Sequence, residues 1–166
     1  MALRNIITKE EKSLRRPSRQ VVKFDDRLHT LLDDMRETLF QANGVGLAAP
    51  QVGVNRRVVI VVDENDEVIE LINPEVISTD GEQEGYEGCL SVPGFYGVVR
   101  RPMNVTVKAQ DRNGNEFTVS GEGLLARAFC HEIDHLDGHL YTDIVLGTLI
   151  TAEEMEAMMA EDGDEE

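Results

Sequence analysis

Apolar residues recur at helical spacing early in the chain: Leu28, Leu31, Leu32, Met35 and Leu39 share one face of residues 25–42. Asp25 or Asp26 can cap the start and Gly44 follows the end, so an amphipathic helix is predicted there. His29 on this helix reads as an ordinary surface or boundary residue. The next stretch, GVGLAAPQVGV, holds too many glycines and small residues for a regular element and reads as a loop. RRVVIVVD (56–63) is a β-branched run of the kind that forms a strand buried on both faces. VIELINPEVI (68–77) predicts another strand, interrupted at Pro74. In NVTVKAQDRNGNEFTVS the pattern alternates on both sides of Asn113-Gly114, a dipeptide that favours a tight turn with positive φ at both positions, so a β-hairpin is predicted. Between residues 123 and 136 the period becomes helical again. Leu124, Ala128, His131 and His135 fall on one stripe, and Gly138 is a natural stop. The expected fold class is α+β: antiparallel strands packed around a central helix that carries histidines, with an N-terminal and a C-terminal helix.

Composition narrows the function classes. With 166 residues, no internal repeat and no linker, the chain fits one domain over residues 1–150 followed by an acidic C-terminal helix or tail over 151–166. No apolar run approaches bilayer length, and the charged start MALRNIITKEEKSLRRPSR does not resemble a secretory signal, so a cytoplasmic protein without membrane association is expected. The formal net charge of −16 argues against a general nucleic-acid binder, which needs clustered Lys and Arg to neutralise phosphate. Much of the acidity sits in EEMEAMMAEDGDEE after Ala152, expected to be a solvated helix end that fades into disorder. A short basic stretch from Lys9 to Lys23 offsets it in part. Two cysteines, Cys89 and Cys130, make no disulfide framework, and a reducing compartment keeps both as thiols.

The chemistry concentrates in CHEIDHLDGH (130–139). Residues four apart on a helix face the same way, so His131 and His135 can offer two imidazole nitrogens to one metal ion. Glu132 stands about 100° around the axis, close enough to act on water at the ion without ligating it. The competing reading is a helix with two satisfied histidines. A hydrolytic ion needs a third protein ligand and an open position for water. In the spacing H-E-x-x-H-x-x-G-x-x-H the glycine is kept as Gly138, but the last position is Tyr141, and His139 comes two residues too early. Glu153 and Glu154 lie at the distance of a downstream glutamate ligand, inside a run where a carboxylate occurs at almost any spacing. Cys130 points about 100° away from the stripe and groups with Arg127 and Asp134. Cys89, in EGYEGCLSVPG, is the fourth source, and these residues alone leave the choice open.

Three segments in order, GVGLAAPQ (44–51), EGCLS (87–91) and HEIDH (131–135), resemble the signature motifs of the peptide deformylase family. The opening MALRNI and the stretch RPMNVTV are similar to that family as well, so the resemblance covers essentially residues 1–150. It implies a hydrolase that removes the formyl group from the N-terminal formyl-methionine of nascent polypeptides. It further implies one divalent ion per chain held by Cys89, His131 and His135, with ferrous iron expected as the native ion and zinc or nickel able to replace it. Ligand chemistry alone does not choose among these. In this reading metal-bound hydroxide attacks the formyl carbon, and Glu132 serves as general base and then general acid. Gln51 and the backbone N–H of Leu90 stabilise the oxyanion. Gly44 and Gly46 let backbone approach the substrate as an added strand would. Val45, Leu124 and Ala128 wall the methionine pocket. The substrate itself brings the enzyme into transient proximity of the ribosome, but the acidic tail gives no ground for docking on RNA. Two positions depart from the family pattern: Cys130 stands where Gln is common, and KEEKSLRRP lacks the usual Gly-Asp-Pro, which leaves the path of that loop open. The rivals are an HExxH endopeptidase with a downstream Glu ligand, a Cys89 nucleophile with a His base, and a non-catalytic metal-stabilised binding protein. Gln51 and Glu132 speak against the last, since a purely structural ion needs neither.

Overall fold

The structure is a computed structural model and describes residues 2–164. In chain order its elements are α1 (Asp26–Gln41), β1 (Gly46–Ala48), β2 (Val58–Val62), β3 (Val68–Asp80), β4 (Gln83–Cys89), β5 (Val92–Arg101), β6 (Asn104–Gln110), β7 (Glu116–Glu122), α2 (Leu124–Leu136), β8 (Leu146–Thr151) and α3 (Ala152–Asp164). The strands form two antiparallel sheets, one ordered β1-β2-β3-β6-β7 and the other β4-β5-β8. The α+β class stands as expected.

Helix α1 starts where the pattern placed it. The Asp25 carboxylate accepts the Leu28 N–H at 3.2 Å, a side-chain cap on one of the free donors of the first turn. All five residues of its apolar face are buried, against Leu47, Val58, Ile60 and Ile72. Strand β2 is buried on both faces because the first sheet lies between two helices. Val58 and Ile60 face α1, whereas Val59 and Val61 join Phe129 and Ile133 of α2.

Four expectations change. GVGLAAPQ is not a plain loop: Gly46, Leu47 and Ala48 pair with Val61, Ile60 and Val59 at the edge of the first sheet, and Ala49–Val52 form a 3-10 turn. Its small residues serve tight packing, since Leu47, Ala48 and Ala49 are fully buried. Pro74 does not end its strand. Asn73 takes a positive φ of 51°, the register with β6 shifts, and β3 resumes to Asp80. The Asn73 side chain compensates by bonding both backbone groups of Val21 and the Gln110 amide. The β6–β7 hairpin exists, yet only Gly114, at 88°, has positive φ. The Asp111 carboxylate caps this longer turn by accepting the N–H groups of Asn113 and Asn115. Finally, β4, β5 and β8, which together form the second sheet, were not foreseen.

The segment over 9–17 runs through a 3-10 turn, Lys12–Arg15, that buries Leu14 completely. Helix α3 is largely exposed, as expected of the acidic end, though the Tyr86 hydroxyl donates to Met158 Sδ at 3.7 Å. The fade into disorder expected after it lies outside the described residues. Among the described residues no helix is long and apolar enough to cross a membrane.

Candidate metal centre

Helix α2 brings the histidines to the site. Phe129, Ile133 and Leu136 anchor it on the first sheet, which turns His131, Glu132 and His135 toward β4. Gly138 ends the helix at φ 81°, and a Cβ there would run into the carbonyl of Arg15. Cys89 is the last residue of β4, where the register with β5 shifts between Glu87 and Cys89 and turns the thiol toward the helix. Its Sγ lies 3.4 Å from His135 Nε2. The ligand atoms of Cys89, His131 and His135 all fall within 4.8 Å of one another, and among the described residues this is the one such cluster of metal-ligating side chains. Of the four sources, Cys89 is the one that the fold brings beside the two histidines.

The donor set fits a cation. Burial holds His135 well below the usual imidazole range, aided by the charge on His131, so His135 is neutral and has a lone pair to offer. Burial also opposes a charge on His131, but Glu132, Cys89 and Glu87 outweigh it and raise its pKa well above the ordinary value. One sulfur and two imidazoles close together are the donor set of a Cys/His₂ metal site.

Glu87 completes the arrangement, and the sequence reading did not single it out. Its carboxylate accepts from His131 Nδ1 at 2.7 Å, which leaves Nε2 free to face the cluster. Arg101 grips the same carboxylate with two bonds, of 2.8 and 3.0 Å, and Arg127 adds a third of 2.7 Å. Burial alone would raise the Glu87 pKa; His131 and Arg101 overcome it and hold the group at about 2.

Glu132 is buried, with Oε2 at 3.9 Å from His131 Nε2, and Oε1 has no hydrogen-bond partner among the described residues. Burial pushes its pKa up to about 7 against the pull of His131. The carboxylate lies against Gly46, where a Cβ would come within 2.6 Å of Oε2. Gln51 is 1% exposed. Its Oε1 accepts the Ala48 N–H, while Nε2 donates to Ser91 Oγ at 3.1 Å and to Cys89 Sγ at 3.6 Å. The N-terminal segment straps this region, with Ile7 N–H bonded to the Gln51 carbonyl and Lys9 N–H to that of Ser91.

A cavity of about 420 Å³ opens over the centre, and Gly44, Val45, Gly46, Leu90, Leu124 and Ala128 all line it beside Gln51, Cys89, His131 and Glu132. The rejected ligand sources stay away. His139 is exposed, and Glu153 and Glu154 stand exposed in the first turn of α3. Tyr141 stacks its ring 5.9 Å from that of His131 and donates its hydroxyl to the Phe95 carbonyl. Cys130 packs on the first core, where burial pushes its thiol up to about 11.

Comparison with known proteins agrees with this geometry. The family profile for polypeptide deformylase matches residues 3–147. Peptide deformylase of Caldicellulosiruptor bescii is 57% identical over 156 residues, covering 94% of this chain and 93% of that protein. The Acetivibrio thermocellus enzyme is 55% identical over 94% of this chain and 91% of its own length. Among solved structures, a peptide deformylase from Legionella pneumophila superposes with TM-score 0.84 at 45% identity, covering 97% of this chain and 92% of that one. The Thermotoga maritima enzyme gives TM-score 0.85 at 35% identity over 89% of this chain and all of its own. A peptide deformylase from Synechococcus elongatus, solved in complex with actinonin, gives 0.83 at 40% identity, covering 86% of this chain and 79% of that one. With sequence, fold and metal-ligating cluster in agreement, the chain belongs to the peptide deformylase family.

Proposed function

We infer that this chain hydrolyses the N-terminal formyl group of formyl-methionyl nascent polypeptides in the cytoplasm, releasing formate and a free amine. Residues 1–150 act as the catalytic domain and 151–166 as an appendage. The observation that carries this reading is the convergence of Cys89, His131 and His135 beside the buried Glu132 at the floor of an apolar cavity. Those three residues would hold one divalent ion, ferrous iron in the native enzyme with zinc or nickel as substitutes. The ion would supply Lewis acidity, lowering the pKa of water and polarising the formyl carbonyl.

The protein's own groups do the rest. Glu132, with a pKa near 7, takes the proton from the attacking water and hands it to the departing amine as the C–N bond breaks. Gln51 Nε2 and the backbone N–H of Leu90 donate to the developing oxyanion, each worth about 3–4 kcal/mol. The cavity lies between two edge strands, β1 and β4, so Gly44 to Gly46 on one side can bond an extended substrate as a further strand. Val45, Leu124 and Ala128 enclose the methionine side chain. A glutamate-liganded endopeptidase is disfavoured because Glu153 and Glu154 stand outside the cluster and Glu154 bonds Thr151 instead.

The test is formate release from formyl-Met-Ala-Ser by protein prepared anaerobically with ferrous iron. Glu132→Ala should lose at least about a hundredfold in kcat, the scale of general acid–base catalysis. No formate from the intact protein would refute the function, and an unaffected variant would refute the mechanism.

A further inference from the structure

Away from the catalytic cavity, and sharing no lining residue with it, a hollow of about 390 Å³ opens on another part of the surface. The N-terminal segment, the approach to α1 and the stretch before β2 meet there. Its apolar lining is Val21, Leu28, Leu31 and Val54, together with Val22, which is 78% exposed. Four cations line it as well, Arg4, Lys23, Arg27 and Arg56, against a single carboxylate. That carboxylate, Asp25, already accepts the Leu28 N–H. Arg4 holds Asp34 at 2.9 Å, but Lys23, Arg27 and Arg56 are exposed and make no ion pair among the described residues. Such cations stand out in a chain with 32 acidic residues and only 16 Lys and Arg. Beyond residue 57 each of Arg100, Arg101, Lys108, Arg112 and Arg127 does hold a carboxylate. The walls of the hollow are also fixed. Asn73 bonds both backbone groups of Val21, at 2.8 and 2.9 Å, and a parallel bridge ties Arg19 to Arg56.

We propose that this hollow binds a small molecule carrying a pyrophosphate group. Its volume lies at the lower end of the range of about 300–1,000 Å³ usual for small-molecule sites. Lys23, Arg27 and Arg56 repel one another across it, and a ligand with more than one negative charge relieves that repulsion. Guanidinium groups present paired N–H donors that match phosphate oxygens, and the lysine ammonium adds a point charge. Two joined phosphates spread their charge widely enough to meet several of these cations, whereas a lone carboxylate does not. The apolar lining gives the rest of such a molecule a surface to lie on. A long polyanion is a poorer fit, because the net charge of −16 repels it everywhere outside this hollow. The inference is independent of the deformylase reading, since no catalytic group takes part in it.

The probe is ADP, titrated calorimetrically into the metal-loaded protein at low ionic strength, with adenosine as the same body without phosphate. ADP should bind once per chain, more weakly as salt is added, and at least about tenfold more tightly than adenosine. The double variant Arg27→Gln/Arg56→Gln should weaken ADP about tenfold, the scale of two exposed charge contacts. Both side chains are exposed and unpaired, so this variant should keep the Tm of the parent, which shows that it has folded. Arg16→Gln/Arg19→Gln removes the same charge from exposed sites outside the hollow and should leave ADP binding as it was. ADP affinity that survives the Arg27/Arg56 variant, as coordination to the catalytic ion would, overturns the proposal. So does an equal loss in both double variants, which would assign the attraction to overall charge. Failure of ADP to bind the parent protein, or adenosine binding as tightly as ADP, overturns it as well.

Discussion

At Glu87 three side chains from two elements meet: Arg101 from β5, and Arg127 and His131 from α2. In the proposed metal centre this carboxylate would fix which nitrogen of His131 faces the ion and make that ring a stronger ligand. In Glu87→Gln one oxygen becomes an amide donor directed at cationic partners. The variant should bind its metal about 10–100-fold more weakly, measured by competition with a chromophoric chelator. Unchanged affinity would reduce Glu87 to a bystander. The three side chains that the fold brings together were legible in the sequence: the two histidines follow the helical period, and Cys89 is embedded in a motif of its own. Glu87 was not, since a glutamate beside a glycine shows no chemistry until the fold brings Arg101 and Arg127 to it. Gly46 was read as room for the substrate, but Glu132 lying against it is a second reason for a residue without Cβ, visible only once α2 is docked on β1.

Element by element, α1 is fastened to the sheet by charge as well as by leucines. Glu70 on β3 accepts Arg112 Nε and Nη2 at 2.9 and 2.6 Å and Arg36 of α1 at 3.0 Å, and Arg112 reaches on to Asp33 of α1. Burial works to raise the Glu70 pKa, but Arg112 and Arg36 outweigh it and lower it from 4.5. A depressed carboxylate pKa stabilises the fold above the unfolded value, and that contribution disappears as pH falls through the folded one. Glu70→Gln should therefore cost about 1–2 kcal/mol at pH 7, between exposed and buried pairs. In urea titrations the gap to the wild type should narrow steadily below pH 4.5; a pH-independent gap would assign the loss to packing. Local periodicity identified α1, β2 and α2 because each displays a face whose period survives in a single sequence. It missed β1, β4, β5 and β8, whose strand character comes from partners elsewhere: β1 follows β2, β4 and β5 pair with one another, and β8 follows Phe95 and Tyr96 of β5. Pro74 misled for a related reason, since the shift in register there is held by bonds from Asn73 to Val21 and Gln110, far away in sequence.

For the molecule as a whole, the two sheets are unequally built. The first is covered by α1 and α2 and contributes to both large cores, whereas the second has a small core of Val92, Val99 and Tyr141. What joins the second sheet to α2 is largely polar: the cluster of Glu87, Arg101, Arg127 and Asp134, and then Cys89 opposite His131 and His135. A cation bound by those three ligands therefore crosslinks β4 to α2, and its binding energy becomes folding energy. At a free metal concentration a thousandfold above Kd the stabilisation is about 4 kcal/mol. A domain of this size shifts about 2–4 °C per kcal/mol, so anaerobic chelation should lower Tm by about 10 °C. The loss should also be uneven. Amide exchange should accelerate most in β4 and β5 around Cys89 and Val92, while β2, packed between α1 and α2, keeps its protection. Uniform acceleration across both sheets would mean that the ion stabilises the fold globally and is not the joint between its two halves.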